Sequence, residues 1–288
     1  MRPPRWSGRH ERPSHRESVR VRHAAARDAP FSGPGRRAVL GHGRTGGALY
    51  DLGDYPVLAE GAGFVYGELY AVDRNALEAL DRIEGHCPDD PGASLYERRP
   101  LSVCSFADGS TVTAWGYVYR RDLGGARPIL GGDYRRDRAD RAGPLQWYLA
   151  YGSNLHSVRL LKRFGHEHVA FVETGFLDGY ELRFNKRAGD GACANLTFQG
   201  ADHRCPVAAY RVSVEDLRRL DYYEGEPDHY VRLGLPFNRA DGGLALGHAY
   251  LAAPERLTDD GAPDPAYLRH LREGYREHGF DAGTLPDL

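Results

Sequence analysis

Leu220-Asp221-Tyr222-Tyr223-Glu224-Gly225 repeats, 140 residues later, the pattern Leu80-Asp81-Arg82-Ile83-Glu84-Gly85. This feature restricts the fold more than any other, because the match continues on both sides. Tyr70, Val72, Leu77, Leu80, Asp81, Glu84 and Gly85 align without a gap with Tyr210, Val212, Leu217, Leu220, Asp221, Glu224 and Gly225. Further on, Tyr96-Glu97-Arg98 matches Tyr230-Val231-Arg232, and Ala114-Trp115-Gly116-Tyr117-Val118-Tyr119 matches Ala245-Leu246-Gly247-His248-Ala249-Tyr250. The offset changes along the way, as loops of unequal length in duplicated domains require. A unit of roughly 110–140 residues is a domain, since solenoid repeats run at about 20–50. The chain is therefore expected to hold two copies of one domain, their apolar faces packed together as an intramolecular pseudo-dimer.

Length and composition agree with two ordinary domains. The 288 residues include 41% hydrophobic and 11% aromatic side chains, enough for each half to bury a core. No apolar run approaches the ~20 residues that a membrane-spanning helix needs. The formal net charge of −2 gives no reason to expect nucleic acid as a partner. Residues 1–37 stand apart, with ten Arg against three acids and little apolar periodicity; they are expected to form a disordered basic arm. The arm has neither the apolar stretch of a secretory signal nor the acid-poor character of a transit helix. Cys87, Cys104, Cys193 and Cys205 lack Cys-x-x-Cys spacing, so free thiols in a reducing compartment, the cytoplasm, are expected. His166 and His168 flank Glu167 without forming a His-Glu-x-x-His pattern, and neither a metal nor a cofactor is expected.

Local signals place the repeated motif. Ala48–Leu52 and Gly63–Val72 have the aromatic and β-branched content of strands. Asp73 then caps a helix from Arg74 to about Ile83, with Leu77 and Leu80 on one face and Gly85 as the stop. The second copy repeats this with Ser213 as cap, Leu217 and Leu220 as the apolar pair, and Gly225 as the stop. Each repeated Glu thus falls at a helix end. The Gly41-x-Gly43-x-x-Gly46 match to a dinucleotide fingerprint is rejected, because a strand and not a helix follows it; a glycine-rich turn is expected there.

Only the second copy carries Tyr151-Gly152-Ser153-Asn154. The preceding Trp147-Tyr148-Leu149-Ala150 reads as a buried strand, and Leu155, Val158 and Leu161 mark one face of a helix beginning near Leu155. In such a strand-to-helix loop, backbone N–H groups can point at an anion or a carbonyl oxygen. A plain N-cap is the alternative, since Ser and Asn are favoured there on structural grounds alone. For Glu224 the alternative is a helix-end residue paired with an Arg such as Arg232.

Taken together, Trp147–Leu155, Phe184-Asn185-Lys186-Arg187 and Leu220–Gly225 resemble the gamma-glutamylcyclotransferase family over residues 147–288. The N-terminal copy, through Leu49-Tyr50-Asp51-Leu52-Gly53 and Val65–Tyr70, is similar to the related gamma-glutamylamine cyclotransferase branch. The resemblance implies an α+β fold of two tandem small mixed β-barrels with flanking helices. It implies a cofactor-free reaction in which a gamma-glutamyl amide, the small-molecule partner, closes to 5-oxoproline and frees its amine. The implied general acid–base is Glu224, and the implied substrate-binding residues are Tyr151, Gly152, Ser153, Asn154, Leu155 and Tyr230. The domain reading is an arm (1–37), a degenerate copy (38–120), a linker (121–146) rich in Arg, Gly and Asp, and a catalytic copy (147–288). Either the first copy is degenerate or its start is misassigned, since an Arg-rich segment stands where a first strand and loop belong. A non-catalytic scaffold on the same fold, and a gamma-glutamyl deprotection enzyme of a biosynthetic pathway, are the competing functions.

Overall fold

The computed structural model describes residues 18–22, 37–167, 169, 171–189 and 191–287. Its first unit runs β1 (Ser18–Arg22), β2 (Arg37–Asp51), β3 (Pro56–Val72), α1 (Arg74–Ile83), β4 (Tyr96–Ser105) and β5 (Thr111–Tyr119). A connector follows with β6 (Arg127–Pro128) and α2 (Tyr134–Asp140). The second unit runs β7 (Leu145–Ala150), α3 (Ser157–Phe164), β8 (Phe171–Asp178), β9 (Tyr180–Ala188), β10 (Gly191–Phe198), β11 (Arg204–Ser213), α4 (Val214–Glu224), β12 (Tyr230–Arg239), β13 (Leu244–Ala252) and α5 (Pro265–Glu277).

The second unit closes into a barrel in the order β7-β11-β8-β12-β13, with β13 pairing back to β7. The first unit repeats the same cyclic neighbours, β1-β3-β2-β4-β5, with β5 returning to β1. Tandem α+β units are thus present as the repeat requires. Where the second unit inserts the β9–β10 hairpin, the first extends β2 and β3 into a hairpin arm that pairs Ala48–Asp51 with Pro56–Ala59.

Strand register corrects one part of the repeat alignment. Tyr148 pairs with Tyr210 and with His248, whereas Arg20 pairs with Tyr70 and with Trp115. Likewise Arg232 stands opposite Tyr250, and Arg98 opposite Tyr117. Trp115 therefore matches His248 and Tyr117 matches Tyr250, two residues away from the alignment made on sequence. A shift of two keeps every side chain on the same face, so alternation alone cannot detect it.

Both repeated helices form as their caps dictate. The Asp73 carboxylate accepts from the Ala76 N–H at 2.9 Å, and Ser213 and Asp216 complete a reciprocal capping box. Gly85 and Gly225 adopt left-handed φ values of 59° and 64° just past the helix ends. The repeated Asp holds each helix to the next two strands. Arg98 Nη1 donates to Asp81 at 2.8 Å and the Tyr117 hydroxyl donates to the same carboxylate. In the second unit Arg232 Nε donates to Asp221 at 2.8 Å and the Tyr250 hydroxyl at 2.7 Å.

Other expectations change. Ser18–Arg22, expected within a disordered arm, forms β1; residues 1–17 and 23–36 of that arm lie outside the described residues, as does His168. Gly41–Gly46 is not a turn but part of β2, whose register shifts fall at Val39/Gly41 and Gly46/Ala48. The segment read as a linker is folded: Ile129 and Tyr134 join a core cluster of the first unit, and α2 packs on β12 and β13. The second unit holds one continuous core, which Phe106 of the first unit enters. Between the units, the Tyr180 hydroxyl meets His42 Nδ1 at 2.8 Å and Arg44 pairs with Glu255. No helix among the described residues is long and apolar enough to cross a membrane.

Candidate active site in the second unit

The strand β7 delivers Tyr151 and Gly152 to the end of the barrel, and a 3₁₀ turn over Ser153–Leu155 redirects the chain into α3. Because the α-helix starts at Ser157, Leu155 belongs to the turn and the expected face of Leu155, Val158 and Leu161 does not exist. Leu160 and Phe164 are buried instead, and Val158 is exposed. The turn is held from outside by α5. The carbonyl of Leu155 accepts from the Tyr210 hydroxyl at 3.3 Å and meets His278 Nε2 at 2.9 Å. Gly274 lets α5 lie directly on the turn, since a Cβ there would stand 2.3 Å from Leu155 Cβ.

Glu224, the last residue of α4, reaches this turn. Its Oε1 accepts from Asn154 Nδ2 at 3.0 Å and pairs with Arg163 of α3. The same Asn154 amide donates to the Tyr148 hydroxyl at 2.7 Å. With both N–H bonds used, Asn154 Oδ1 is left buried and without a hydrogen-bond partner. Glu224 is mostly buried, and both contacts use Oε1. The alternative pairing of Glu224 with Arg232 is not what the structure shows: Arg232 serves Asp221 and Asp140.

The remaining residues named from sequence divide into two groups. Gly152 and Ser153 line the turn beside Glu224; a Cβ on Gly152 would lie 3.3 Å from Ala194 and 3.4 Å from the Tyr267 hydroxyl. Tyr151, Leu155 and Tyr230 face protein groups. The Tyr151 hydroxyl donates to the Tyr250 carbonyl, Leu155 is fully buried in the core, and the Tyr230 hydroxyl donates to the Ala194 carbonyl at 2.8 Å. Burial pushes the Tyr151, Tyr230 and Tyr267 phenols well up, so they remain neutral hydroxyls.

Several residues here were given no role on sequence, although Lys186 stood in the Phe184–Arg187 stretch that carries the resemblance. Tyr267 of α5 accepts from the Ala194 N–H at 3.1 Å. Lys186 of β9 is buried, with Nζ 3.4 Å from His229 Nδ1 and 5.0 Å over the Tyr230 ring; burial holds its ammonium below the usual range. Arg159 and Arg163 lie one turn apart on α3, and burial together with Arg163 depresses the Arg159 guanidinium. Their i,i+4 spacing directly after the loop was a legible signal. Beyond Arg163, an open groove of about 480 Å³ between α3 and α4 is lined by Lys162, Arg218, Arg219, Tyr222 and Tyr223. All four cysteines are free thiols, and among the described residues no cluster of His, Cys, Asp and Glu could hold a metal.

The first unit keeps part of this arrangement. Tyr96 is buried with Glu84 and Tyr119 as charged or ring neighbours, as Tyr230 is near Glu224. By strand register Arg22 corresponds to Ala150; in the sequence Arg22 is followed by His23-Ala24-Ala25-Ala26, where Ala150 is followed by Tyr151-Gly152-Ser153-Asn154, and those first four residues lie outside the described ones.

A model of the family described as gamma-glutamyl cyclotransferase, AIG2-like, matches residues 21–136 and 148–269, one segment in each unit. YkqA of Bacillus subtilis, named provisionally as a gamma-glutamylcyclotransferase, is 27% identical over 195 residues, covering 62% of this chain and 65% of YkqA. The gamma-glutamylcyclotransferase family protein YtfP of Escherichia coli K12 is 35% identical over 86 residues, covering 30% of this chain and 66% of YtfP. The matched stretches therefore span slightly less than two thirds of either relative. The crystal structure of YkqA superposes with a TM-score of 0.69 at 20% identity, over 90% of this chain and 92% of that one, which shows a shared fold.

Proposed function

Because the chain belongs to the gamma-glutamyl cyclotransferase, AIG2-like family, and its second unit sets a carboxylate against the Tyr151–Asn154 turn, we propose that it cyclises a gamma-glutamyl amide to 5-oxoproline and releases the amine. The observation that carries this reading is the 3.0 Å bond between Asn154 and Glu224, two motifs 70 residues apart in sequence.

The chemistry needs few groups. The substrate's α-amine attacks its own γ-carbonyl, so no Ser or Cys nucleophile is required. Holding the two ends together supplies proximity, worth roughly 7–11 kcal/mol in favourable cases. Glu224 takes one proton from the α-ammonium, and the freed amine adds to the γ-carbonyl carbon. Backbone N–H groups of Gly152 and Ser153 support the charge that develops on the oxygen. Glu224 then passes its proton to the departing nitrogen as the C–N bond breaks. The second proton shed by the ring nitrogen follows the same route, so the amine leaves protonated. The unpaired Oδ1 of Asn154 gives the incoming ammonium a second acceptor beside Glu224. The groove beyond Arg163 gives the amine half room outside the turn.

The test compares the two repeated acids. Glu224→Gln keeps size and shape and removes proton exchange, so 5-oxoproline release from a panel of gamma-glutamyl amides should fall by about 10²–10⁴-fold or more. Glu84→Gln should leave the rate nearly unchanged. Equal losses in the two variants defeat a single site in the second unit. Absence of 5-oxoproline from the unmodified protein on every amide favours a binding protein on the same fold.

A further inference from the structure

Arg159 has no ion-pair partner among the described residues. Its Nε is buried and makes no hydrogen bond, and among the described residues no carboxylate lies within ion-pair distance of its guanidinium. The Nε–H has lost its hydration without gaining a partner, which a ligand anion would supply. Its place on α3 fixes where that anion would lie. The helix begins three residues after Asn154, and at 1.5 Å per residue Arg159 sits about 6 Å nearer the turn than Arg163. Arg163 is already committed to Glu224, and Lys186 of β9 lies against His229 and the Tyr230 ring. Arg159 is thus a cation on the turn side of α3 that has no ion-pair partner, and Glu224 and Tyr267 are among the groups whose field it feels.

Every gamma-glutamyl compound carries a carboxylate on the same carbon as its α-ammonium. If the ammonium docks on Glu224 and Asn154, that carboxylate falls within a few ångströms of both. We propose that Arg159 binds the α-carboxylate of the glutamyl half and so selects α-carboxylated substrates over decarboxylated amides. This rests on the cyclotransferase reading of the site. A guanidinium suits the task because its planar fork meets both oxygens of a carboxylate at once.

The test uses the full chain, unmodified and as Arg159→Met and Arg159→Lys. L-gamma-glutamyl-L-alanine and L-gamma-glutamyl-butylamine serve as substrates. Binding of 5-oxoproline, which keeps the carboxylate, and of 2-pyrrolidinone, which lacks it, is measured by calorimetry. Arg159→Met should raise KM for both substrates by roughly 10- to 100-fold, as loss of a charged hydrogen bond does, with a smaller change in kcat. It should weaken 5-oxoproline by a similar factor and leave 2-pyrrolidinone unaffected, and Arg159→Lys should recover part of the loss. An unchanged KM, or a fall in kcat alone, overturns the assignment. A loss confined to gamma-glutamyl-alanine also overturns it, because it would place the amine half's carboxylate on Arg159. If Glu224→Gln is inactive while Arg159→Met behaves like the unmodified protein, only the Arg159 assignment fails. If the unmodified protein neither binds nor forms 5-oxoproline, the cyclotransferase reading fails and takes the assignment with it.

Discussion

Gly274→Ala tests whether the position of the Tyr151–Asn154 turn sets the rate. A Cβ at this site would meet Leu155 Cβ at 2.3 Å, the Leu155 carbonyl carbon at 2.6 Å and the His156 nitrogen at 2.7 Å. Carbon atoms rest at about 3.5 Å or more, so α5 and the turn must separate by roughly 1 Å. Overpacking of this kind costs about 1–3 kcal/mol, while replacing a helical glycine by alanine returns about 1 kcal/mol. The net stability loss is then about 0–2 kcal/mol, a shift of only a few degrees in Tm for a chain this long. The rate should respond far more, because a displacement of ~1 Å in a site built on positioning can cost about 10²-fold. Thermal unfolding by circular dichroism and 5-oxoproline release at a temperature well below Tm give the two numbers separately. Full activity in a folded Gly274→Ala protein would show that the turn need not stand where α5 holds it, and would remove positioning by α5 from the mechanism.

Two further outcomes follow from the contacts between the units. Arg136 of α2 donates to Glu226 at 2.6 Å and to the Arg232 carbonyl at 3.3 Å, and both ion-pair side chains are mostly buried. Arg136→Gln leaves that carboxylate without its partner and should cost about 2–4 kcal/mol in a urea titration; a change below about 0.5 kcal/mol would show the pair to be inert. His42 is buried against Tyr180, and burial takes its pKa from 6.5 down to about 4. The folded state therefore keeps His42 neutral where the unfolded chain accepts a proton, so its effect is absent above about pH 6.5 and stability falls as pH drops from there toward 4. The full span corresponds to roughly 3 kcal/mol. His42→Gln should flatten that part of the pH profile, and identical profiles for the two proteins would exclude His42 as its source.

The helices carrying the repeated acids were legible because their signals are local. Asp73 and Ser213 cap, Leu80 and Leu220 bury, and Gly85 and Gly225 stop the helices within a dozen residues of one another. The meeting of Glu224 with Asn154 was legible only through family resemblance, since nothing in either segment encodes a 70-residue closure. Tyr267 had no local signal at all, and Lys186 was legible only within the Phe184–Arg187 stretch of the resemblance, with no role attached: they enter the site because α5 folds back over the turn and β9 leaves the barrel. The phase of α3 was misjudged because Leu155 was counted into the helix; the intervening 3₁₀ turn rotates the buried stripe onto Leu160 and Phe164. In β1, the alternation Ser-Val-Arg-Val-Arg is a strand signal that the surrounding arginines outweighed.

The duplication also separates what the repeated motif does for folding from what it offers chemistry. Its Asp does the same work twice, drawing an Arg from the next strand and a Tyr from the one after. That work needs nothing from the turn after the first strand, so it survives in a unit whose first strand is followed in sequence by His-Ala-Ala-Ala. The Glu is different, because its neighbour Asn154 comes from that turn. The first unit nevertheless bears on the second through α2. Tyr134 anchors this helix in the first unit's core and Arg135 pairs with Glu68 there at 2.6 Å. From the same helix, Asp133 caps the Gly234 N–H at 2.8 Å, Asp140 accepts from Arg232 at 3.0 Å, and Arg136 holds Glu226. These three contacts span the chain from Glu226 to Gly234, the segment that turns α4 back into β12 directly after Glu224. A Cβ at Gly234 would come within 2.4 Å of the α2 backbone, so the fit leaves no room for the helix to slide. The first unit thus braces, through α2, the end of the helix that carries Glu224, and a fragment starting at residue 147 would lack both this brace and the first two residues of β7.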